Sequence, residues 1–199
     1  MQIEQLPIEG AYVFTPKQHG DARGLFFEWF KSSEFAESVG HPLTLAQANC
    51  SVSSKGTLRG IHYADVPPGQ AKYVTCLSGA VLDIIVDIRV GSPTFGQWEA
   101  VELNTESRRL VYLSEGLGHG FVALQDNSTV VYLCSTIYNP AAEHEIDPFD
   151  RTIGIDWGIS REQASLSAKD AVAPSLRSAL EQGLLPDYEV CKEFRAGLV

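Results

Sequence analysis

Short apolar segments separated by turn residues dominate the chain from about Ala11 to Trp157. In several of them apolar and polar residues alternate, which is the pattern of a strand that buries one face. The clearest alternation is at residues 96–103, 109–113, 120–124 and 129–134. Because such segments recur about every ten residues with turn signals between them, we predict an all-β sandwich or barrel.

Helical periodicity is scarce. Residues 33–39 predict one helix, with Ser32 or Ser33 as its N-cap. Near the C-terminus, residues 174–183 predict another, with a proline in its first turn and a glycine as its C-cap. We therefore expect a single domain of 199 residues, with a β core at residues 31–157 and a short helical appendage at residues 158–199.

The amino-acid composition argues against several classes of function. Hydrophobic residues make up 44% of the chain and charged residues 20%, an ordinary globular composition. The formal net charge of −10 disfavours nucleic-acid binding, which needs a dense cationic surface. No apolar run approaches the roughly 20 residues of a membrane span. The first residues also lack the features of a signal peptide, so a cytoplasmic protein without membrane contact is expected.

The four cysteines carry no metal or redox motif. No Cys-x-x-Cys pair occurs, which argues against a zinc site and a thioredoxin-like site. Cys76 and Cys134 lie in apolar runs, where a free thiol behaves as a small buried hydrophobe. We expect all four, Cys50 and Cys191 included, to be reduced and structural.

One histidine lies between two cations on short strand-like segments. His62 follows Arg59 closely, and Lys72 comes after a turn. A histidine is readily poised as a base near neutral pH, an arginine suits phosphate, and a lysine can stabilise an oxyanion. The set suits an anionic ligand from which a proton is removed. The alternative is a strand with incidental surface charges.

Two earlier segments offer binding side chains. Arg23 precedes a glycine and the aromatic pair Phe26 and Phe27, which could clamp a phosphate and stack on a base, or could form an ordinary turn before a strand. In residues 47–53 the polar side chains, Gln47 and Asn49 among them, share one face. That face is either exposed to solvent or lines a polar cavity, and the Arg59/His62 segment that follows favours the cavity.

Two further residues have open roles. His119 lies in a glycine-rich run that a strand follows, so it does not belong to a phosphate-binding loop, and it projects into a pocket or into solvent. Tyr132 is either a buried phenol or a general acid.

The sequence offers too few ligands for a metal site. Ala64 stands where a metal-binding His-x-His pair would have its second histidine, and His144 lies in a loop-like segment. We therefore predict no metal and no cofactor.

Several motifs then occur in a fixed order. The most specific are Arg-Gly-Ile-His-Tyr at residues 59–63 and Gly-Ser-Pro-Thr-Phe-Gly at residues 91–96. Others are residues 21–28, 47–49, 70–72, 118–121, 138–143 and 154–157, with Tyr132 between them. In this combination the chain resembles the dTDP-4-dehydrorhamnose 3,5-epimerase family over about residues 3–190.

The resemblance implies a cupin-type jelly roll and a homodimer in which strands of residues 1–30 are exchanged. It implies cofactor-independent epimerisation at C3 and C5 of a dTDP-linked 4-keto-6-deoxyhexose. Such a reaction needs a base, an acid on the other face of the sugar and an oxyanion partner for the enolate. The alternatives are a mono-epimerase of C3 or C5, a 3,4-ketoisomerase and a non-catalytic sugar-binding jelly roll.

The resemblance also assigns residues. It implies that His62 is the base, paired with Asp170, that Tyr132 is the acid, and that Lys72 faces the 4-keto oxygen. It also implies that Arg59 and Arg23 hold the diphosphate, and it leaves open whether Arg23 comes from the same subunit or from the partner. The remaining contacts to nucleotide and sugar would come from Phe26, Glu28, Gln47, Asn49, His119, Tyr138 and Glu143. His19 stands where an aromatic residue is more usual.

Overall fold

The computed structural model describes residues 1–198. The strands are β1 (Gln2–Gln5), β2 (Ala11–Thr15), β3 (Gln18–Asp21), β4 (Gly24–Phe27), β5 (Gln47–Ser53), β6 (Leu58–Ala64), β7 (Lys72–Ser78), β8 (Ala80–Asp87), β9 (Trp98–Asn104), β10 (Leu110–Leu113), β11 (Leu117–Ala123), β12 (Ser128–Cys134) and β13 (Glu143–Glu145). The helices are α1 (Ser32–Val39), α2 (Ala168–Ala171), α3 (Leu176–Glu181) and α4 (Tyr188–Ala196).

Two antiparallel sheets form a sandwich. One has the strand order β1-β2-β10-β7-β12-β5, and the other has the order β13-β6-β11-β8-β9. The main core lies between them and includes Val74 and Val111 from the first sheet and Ile85 and Phe121 from the second. The prediction of an all-β jelly roll with short C-terminal helices is confirmed.

The outer faces of both sheets are also partly covered. Helix α1 places Phe35 against Tyr73 and Tyr112 of the first sheet. The segment of residues 146–185 packs Trp157 and Leu176 onto the second sheet. Strand β8 is therefore buried on both faces, which explains why its sequence alternates only in part.

The hairpin of β3 and β4 stands apart from the sandwich. These two strands pair only with each other, as a two-stranded sheet, and nearly all of their residues are exposed. Strands β1 and β2 instead lie in the six-stranded sheet beside β10 of the same chain. Exchange of N-terminal strands between subunits stays a prediction.

The helix predictions were right in position and partly wrong in detail. Helix α1 is capped by Lys31, whose backbone is extended, and no side chain caps it, so the predicted serine N-cap is wrong. Helix α3 follows Ser175, whose hydroxyl accepts a hydrogen bond from the amide of Ser178, and its C-cap is Gln182 rather than the predicted Gly183. Helices α2, of four residues, and α4, of nine, were not predicted.

Helix α4 docks through polar contacts. Arg195 donates to Glu9 at 2.7 Å, and the hydroxyl of Tyr188 donates to the same carboxylate. The guanidinium of Arg89 lies over the Tyr188 ring.

The four cysteines are free thiols, and Cys50 differs from the other three in being exposed. No helix among residues 1–198 is long and apolar enough to cross a membrane.

A buried carboxylate holds the turn after β8 together. Asp87 is fully buried and accepts hydrogen bonds from Nε and Nη2 of Arg89, both at 2.8 Å. It also accepts from the hydroxyls of Ser92 at 2.5 Å and Thr94 at 2.6 Å. Burial raises the pKa of Asp87, but Arg89 and the two hydroxyls outweigh that effect and hold the pKa below its usual value.

Asp87→Asn should lower the free energy of unfolding by about 3–5 kcal/mol, because it leaves the Arg89 charge buried and uncompensated. The wild-type contribution of Asp87 should be full above about pH 4, the pKa of an unfolded aspartate, and lost as the pH falls through the lower folded pKa. Urea unfolding across this range measures both effects. The exposed Glu4→Gln variant is the control, and equal stability of Asp87→Asn and this control would contradict the role of Asp87.

Candidate active site

A polar cavity of about 340 Å³ opens between the two sheets near one end of the sandwich. It shares His62, Tyr138 and Glu143 with a neighbouring cavity of about 200 Å³ that also reaches Arg59 and Asp170. The first cavity is lined by Gln47, Asn49, Cys50, His62, Gln70, Lys72, Tyr132, Tyr138 and Glu143. Most of the residues predicted from the sequence are therefore brought to one place.

Strand β6 supplies the histidine of the site. Its glycine, Gly60, has a φ of 125°, and a Cβ there would lie 2.6 Å from the Cα of Gly120 on β11. Only glycine permits this close approach of the two strands. The resulting register places His62 directly opposite His119.

His62 is held by a buried carboxylate. Its Nε2 lies 2.7 Å from Oδ1 of Asp170, whose side chain is only 2% exposed, whereas the imidazole is 37% exposed. Burial acts to raise the pKa of Asp170, but hydrogen bonding and charge from His62 outweigh it and hold the pKa below its usual value. With the Nε2 hydrogen donated to this carboxylate, Nδ1 is the nitrogen left to accept a proton from a ligand.

The second histidine also has a carboxylate partner. Nε2 of His119 lies 2.9 Å from Oδ2 of Asp83, and both residues are buried. Burial raises the pKa of Asp83, against the opposing charges of His119 and Lys72. His119 is therefore buried and does not project into solvent, but it is not among the residues that line either cavity. Lys72 is only 9% exposed.

Tyr132 lies on the six-stranded sheet and faces the same cavity. Burial raises the pKa of its phenol, as does the nearby Cys134, while Asn49 and Arg59 act against this rise. The phenol is therefore protonated at neutral pH and can donate a proton. The arrangement offers a base on one sheet, an acid on the other and the Lys72 ammonium, which is what proton abstraction next to a carbonyl requires.

Three predicted binding residues lie away from this cavity in their own chain. Arg23 and Phe26 are exposed on the β3–β4 hairpin, and Glu28 follows it. The Arg23 guanidinium is 91% exposed and pairs with Asp21. None of the three lines the cavity that contains His62.

The described residues, 1–198, contain no group of three or more histidine, cysteine, aspartate or glutamate side chains placed to hold a metal ion. His144 pairs with Asp65 at 2.7 Å and packs against Tyr63.

The chain is similar in sequence to proteins of known function. Residues 5–178 match the family model described as dTDP-4-dehydrorhamnose 3,5-epimerase. A relative of that name from Mycobacterium tuberculosis is 54% identical over 195 residues, covering 98% of this chain and 96% of its own. The chain belongs to the dTDP-4-dehydrorhamnose 3,5-epimerase family.

Solved structures agree with this assignment. An epimerase structure from Mycobacterium tuberculosis superposes with a TM-score of 0.97 at 52% identity and covers 100% of both chains. A 3'-monoepimerase from Streptomyces bikiniensis, in complex with dTDP-quinovose, superposes with a TM-score of 0.94 at 48% identity and covers 97% of each chain. A dTDP-4-dehydrorhamnose 3-epimerase from Streptomyces niveus is 53% identical over 96% of this chain and 92% of its own. The family thus includes double and single epimerases.

Sequence reasoning missed several residues of the site, among them Asp83, Lys169 and Glu145. Asp83 was noticed only as a charge within an apolar strand, although a carboxylate in such a run signals a buried partner. Lys169 lines the cavity beside Asp170 and pairs with Glu145. Glu145 is the strand partner of His62. No local pattern marks the last two, because both reach the site through contacts distant in sequence.

Proposed function

We propose that the protein epimerises a dTDP-linked 4-keto-6-deoxyhexose at C3 and C5 without a cofactor, converting dTDP-4-dehydro-6-deoxy-D-glucose to dTDP-4-dehydro-L-rhamnose. The observation that carries this proposal is the placement of the His62–Asp170 pair, the Tyr132 phenol and Lys72 around one cavity. Family membership supplies the substrate class.

The reaction follows from these groups. Nδ1 of His62 takes the proton from the carbon next to the C4 ketone, and the electron pair of that C–H bond forms an enolate. The Lys72 ammonium stabilises the charge on the enolate oxygen. Tyr132 then gives its phenolic proton to the opposite face of the same carbon, which inverts it and leaves a phenolate. Solvent returns His62 and Tyr132 to their starting protonation states, and the cycle repeats at the second carbon.

The diphosphate of the substrate would also be bound by the protein. Arg59 of β6 lines the second cavity, where a diphosphate needs a cation because the whole chain carries a charge of −10. We further propose that the protein is a homodimer in which Arg23, Phe26 and Glu28 of one subunit reach the cavity of its partner. The exposure of the hairpin and of its aromatic residue supports this arrangement, because an exposed Phe26 gains from burial against a base or a second subunit.

Arg59→Ala should weaken the binding of dTDP and of substrate together, by about 1.5–3 kcal/mol, the contribution of a charge-assisted hydrogen bond. Calorimetric titration with dTDP measures this directly. Arg161→Ala, which removes a cation paired with Asp147 on the C-terminal segment, is the matched control and should leave the affinity unchanged. Unaltered dTDP affinity in Arg59→Ala would contradict the assignment.

The proposed function is tested by incubating the protein with dTDP-4-keto-6-deoxyglucose in D₂O. Proton NMR and mass spectrometry then count the exchanged and inverted carbons, and a parallel reaction contains a strong chelator. Exchange and inversion at both C3 and C5, unaffected by the chelator, are the expected result. Reaction at one carbon only would favour the mono-epimerase alternative, which the Streptomyces relatives keep open. No exchange at either carbon would refute the proposal.

A further inference from the structure

We propose that Asn49 is a positioning residue for the acid Tyr132, and that a chain of hydrogen bonds starting at the Tyr138 backbone aims its amide hydrogens at the phenol oxygen. This inference rests on the proposed function. It gives Asn49 a role different from the substrate contact that the family resemblance implies.

The two side chains face each other across a pair of strands. Asn49 on β5 and Tyr132 on β12 are direct partners in the antiparallel register, and both line the cavity. Directly opposite residues have Cβ atoms about 4.5–5.5 Å apart, which is close enough for their side chains to meet. Strand β5 is the last strand of its sheet, and its other inward polar residues follow the same alternation.

The orientation of the Asn49 amide follows from a donor whose identity is certain. The backbone N–H of Tyr138 donates to Oε1 of Gln47 at 2.8 Å. This fixes Nε2 as the other end of the Gln47 amide, which donates to Oδ1 of Asn49 at 2.8 Å. Because that oxygen is occupied by a donor, Nδ2 is the end of the Asn49 amide that faces away from Gln47. It donates one hydrogen to Sγ of Cys134 at 3.7 Å, which leaves the second hydrogen for the phenol. An amide oriented in this way is a donor, not an acceptor, toward Tyr132.

A donor at this point helps an acid in two ways. By occupying a lone pair of the phenol oxygen it leaves the phenolic hydrogen free to point at the substrate. It also stabilises the phenolate that remains after the proton is given, since hydrogen bonds to charged groups are the stronger ones. Burial raises the pKa of Tyr132, and Asn49 and Arg59 are the groups that act against this rise. Without the amide, Tyr132 would be the weaker acid.

The test compares two variants with the wild-type protein. Asn49→Ala removes the donor, and Asn49→Asp keeps the shape while offering only acceptors. Both should retain dTDP affinity within about twofold and deuterium wash-in within a few-fold, because the His62 half of the reaction is untouched. Inversion should fall about 10- to 100-fold, the loss expected for one hydrogen bond to a charged group. The Tyr132 pKa should rise, and rise further in Asn49→Asp.

That pKa is measured by ultraviolet difference titration of each protein against its own Tyr132→Phe derivative, which isolates one tyrosine from the seven in the chain. Ser51→Ala is the control, since Ser51 is the next inward residue of β5 and lies opposite Val130 rather than the phenol. It should leave the pKa and the inversion rate unchanged. In a Tyr132→Phe background, Asn49→Ala should cause no further loss of inversion.

Two results besides an unchanged inversion rate would overturn the inference. One is a weaker dTDP affinity in Asn49→Ala with exchange and inversion reduced equally, which would make Asn49 a substrate contact. The other is an unchanged Tyr132 pKa in both variants while circular dichroism shows them folded. If the wild-type protein itself neither exchanges nor inverts the sugar, the proposed function fails. A fully active wild type with an equally active Asn49→Ala refutes only the role of Asn49.

Discussion

His62→Asn is expected to abolish deuterium exchange at both C3 and C5, with the rate falling at least about 10²- to 10⁴-fold, the range of a general base. An asparagine can still donate a hydrogen bond to Asp170, so the buried carboxylate keeps a partner while the basic nitrogen is gone. Without the base no enolate forms, and neither exchange nor inversion can follow. The readout is proton NMR in D₂O with dTDP-4-keto-6-deoxyglucose.

The matched control for this change is His144→Asn, which alters a histidine that also pairs with an aspartate but lies outside the cavity. It should exchange and invert at the wild-type rate. Exchange at either carbon in His62→Asn, at a rate near that of the control, would mean that another group removes the proton.

Tyr132→Phe is expected to separate exchange from inversion. The substitution keeps the ring that packs against the core and removes only the hydroxyl. His62 can still take a proton from the sugar and return a deuteron to the same face, so deuterium should wash in with retention. Inversion should fall about 10²- to 10⁴-fold, the usual contribution of a general acid.

Tyr63→Phe is the control, because it removes a phenol hydroxyl from a buried residue of β6, in the other sheet, that does not line the cavity. Its inversion rate should match that of the wild type. Inversion of both carbons at the wild-type rate in Tyr132→Phe would show that the acid lies elsewhere, while loss of exchange and inversion together would give Tyr132 a part in enolate formation.

The alternation of residues along the chain predicted which side chains of β5 share a face, and the Arg59/His62 segment that follows favoured a cavity on that side. Gln47, Asn49 and Ser51 were placed on one face of a strand, and the structure turns that face inward while Ala48 and Val52 face outward. Period-two patterns are reliable here because a shift of one residue in the pairing register of a strand would turn all of its inward side chains to the opposite face. The grouping of Arg59, His62 and Lys72 was likewise readable, since all three lie within a short stretch of chain.

The residue pattern could not predict the contact between Asp170 and His62, because the two residues are 108 positions apart in the chain. Only the family resemblance supplied that pair. The structure brings them together because the C-terminal segment crosses the outer face of the second sheet, bonds the Leu58 amide to the Ser165 carbonyl, and then turns into α2 with Ser167 as its cap.

What the sequence by itself determined is the run of strands from β5 to β12, their inward faces and the chemistry of the residues on β5, β6, β7 and β12. It did not predict β1, and residues 143–145, expected to be loop-like, form β13. What only the tertiary structure decided is the direction of His119, its pairing with Asp83, the docking of α4 on Glu9 and the separation of the β3–β4 hairpin from the cavity of its own chain. The reason is physical: strand patterns arise from burial of neighbouring residues, whereas these contacts depend on which distant segment covers each sheet.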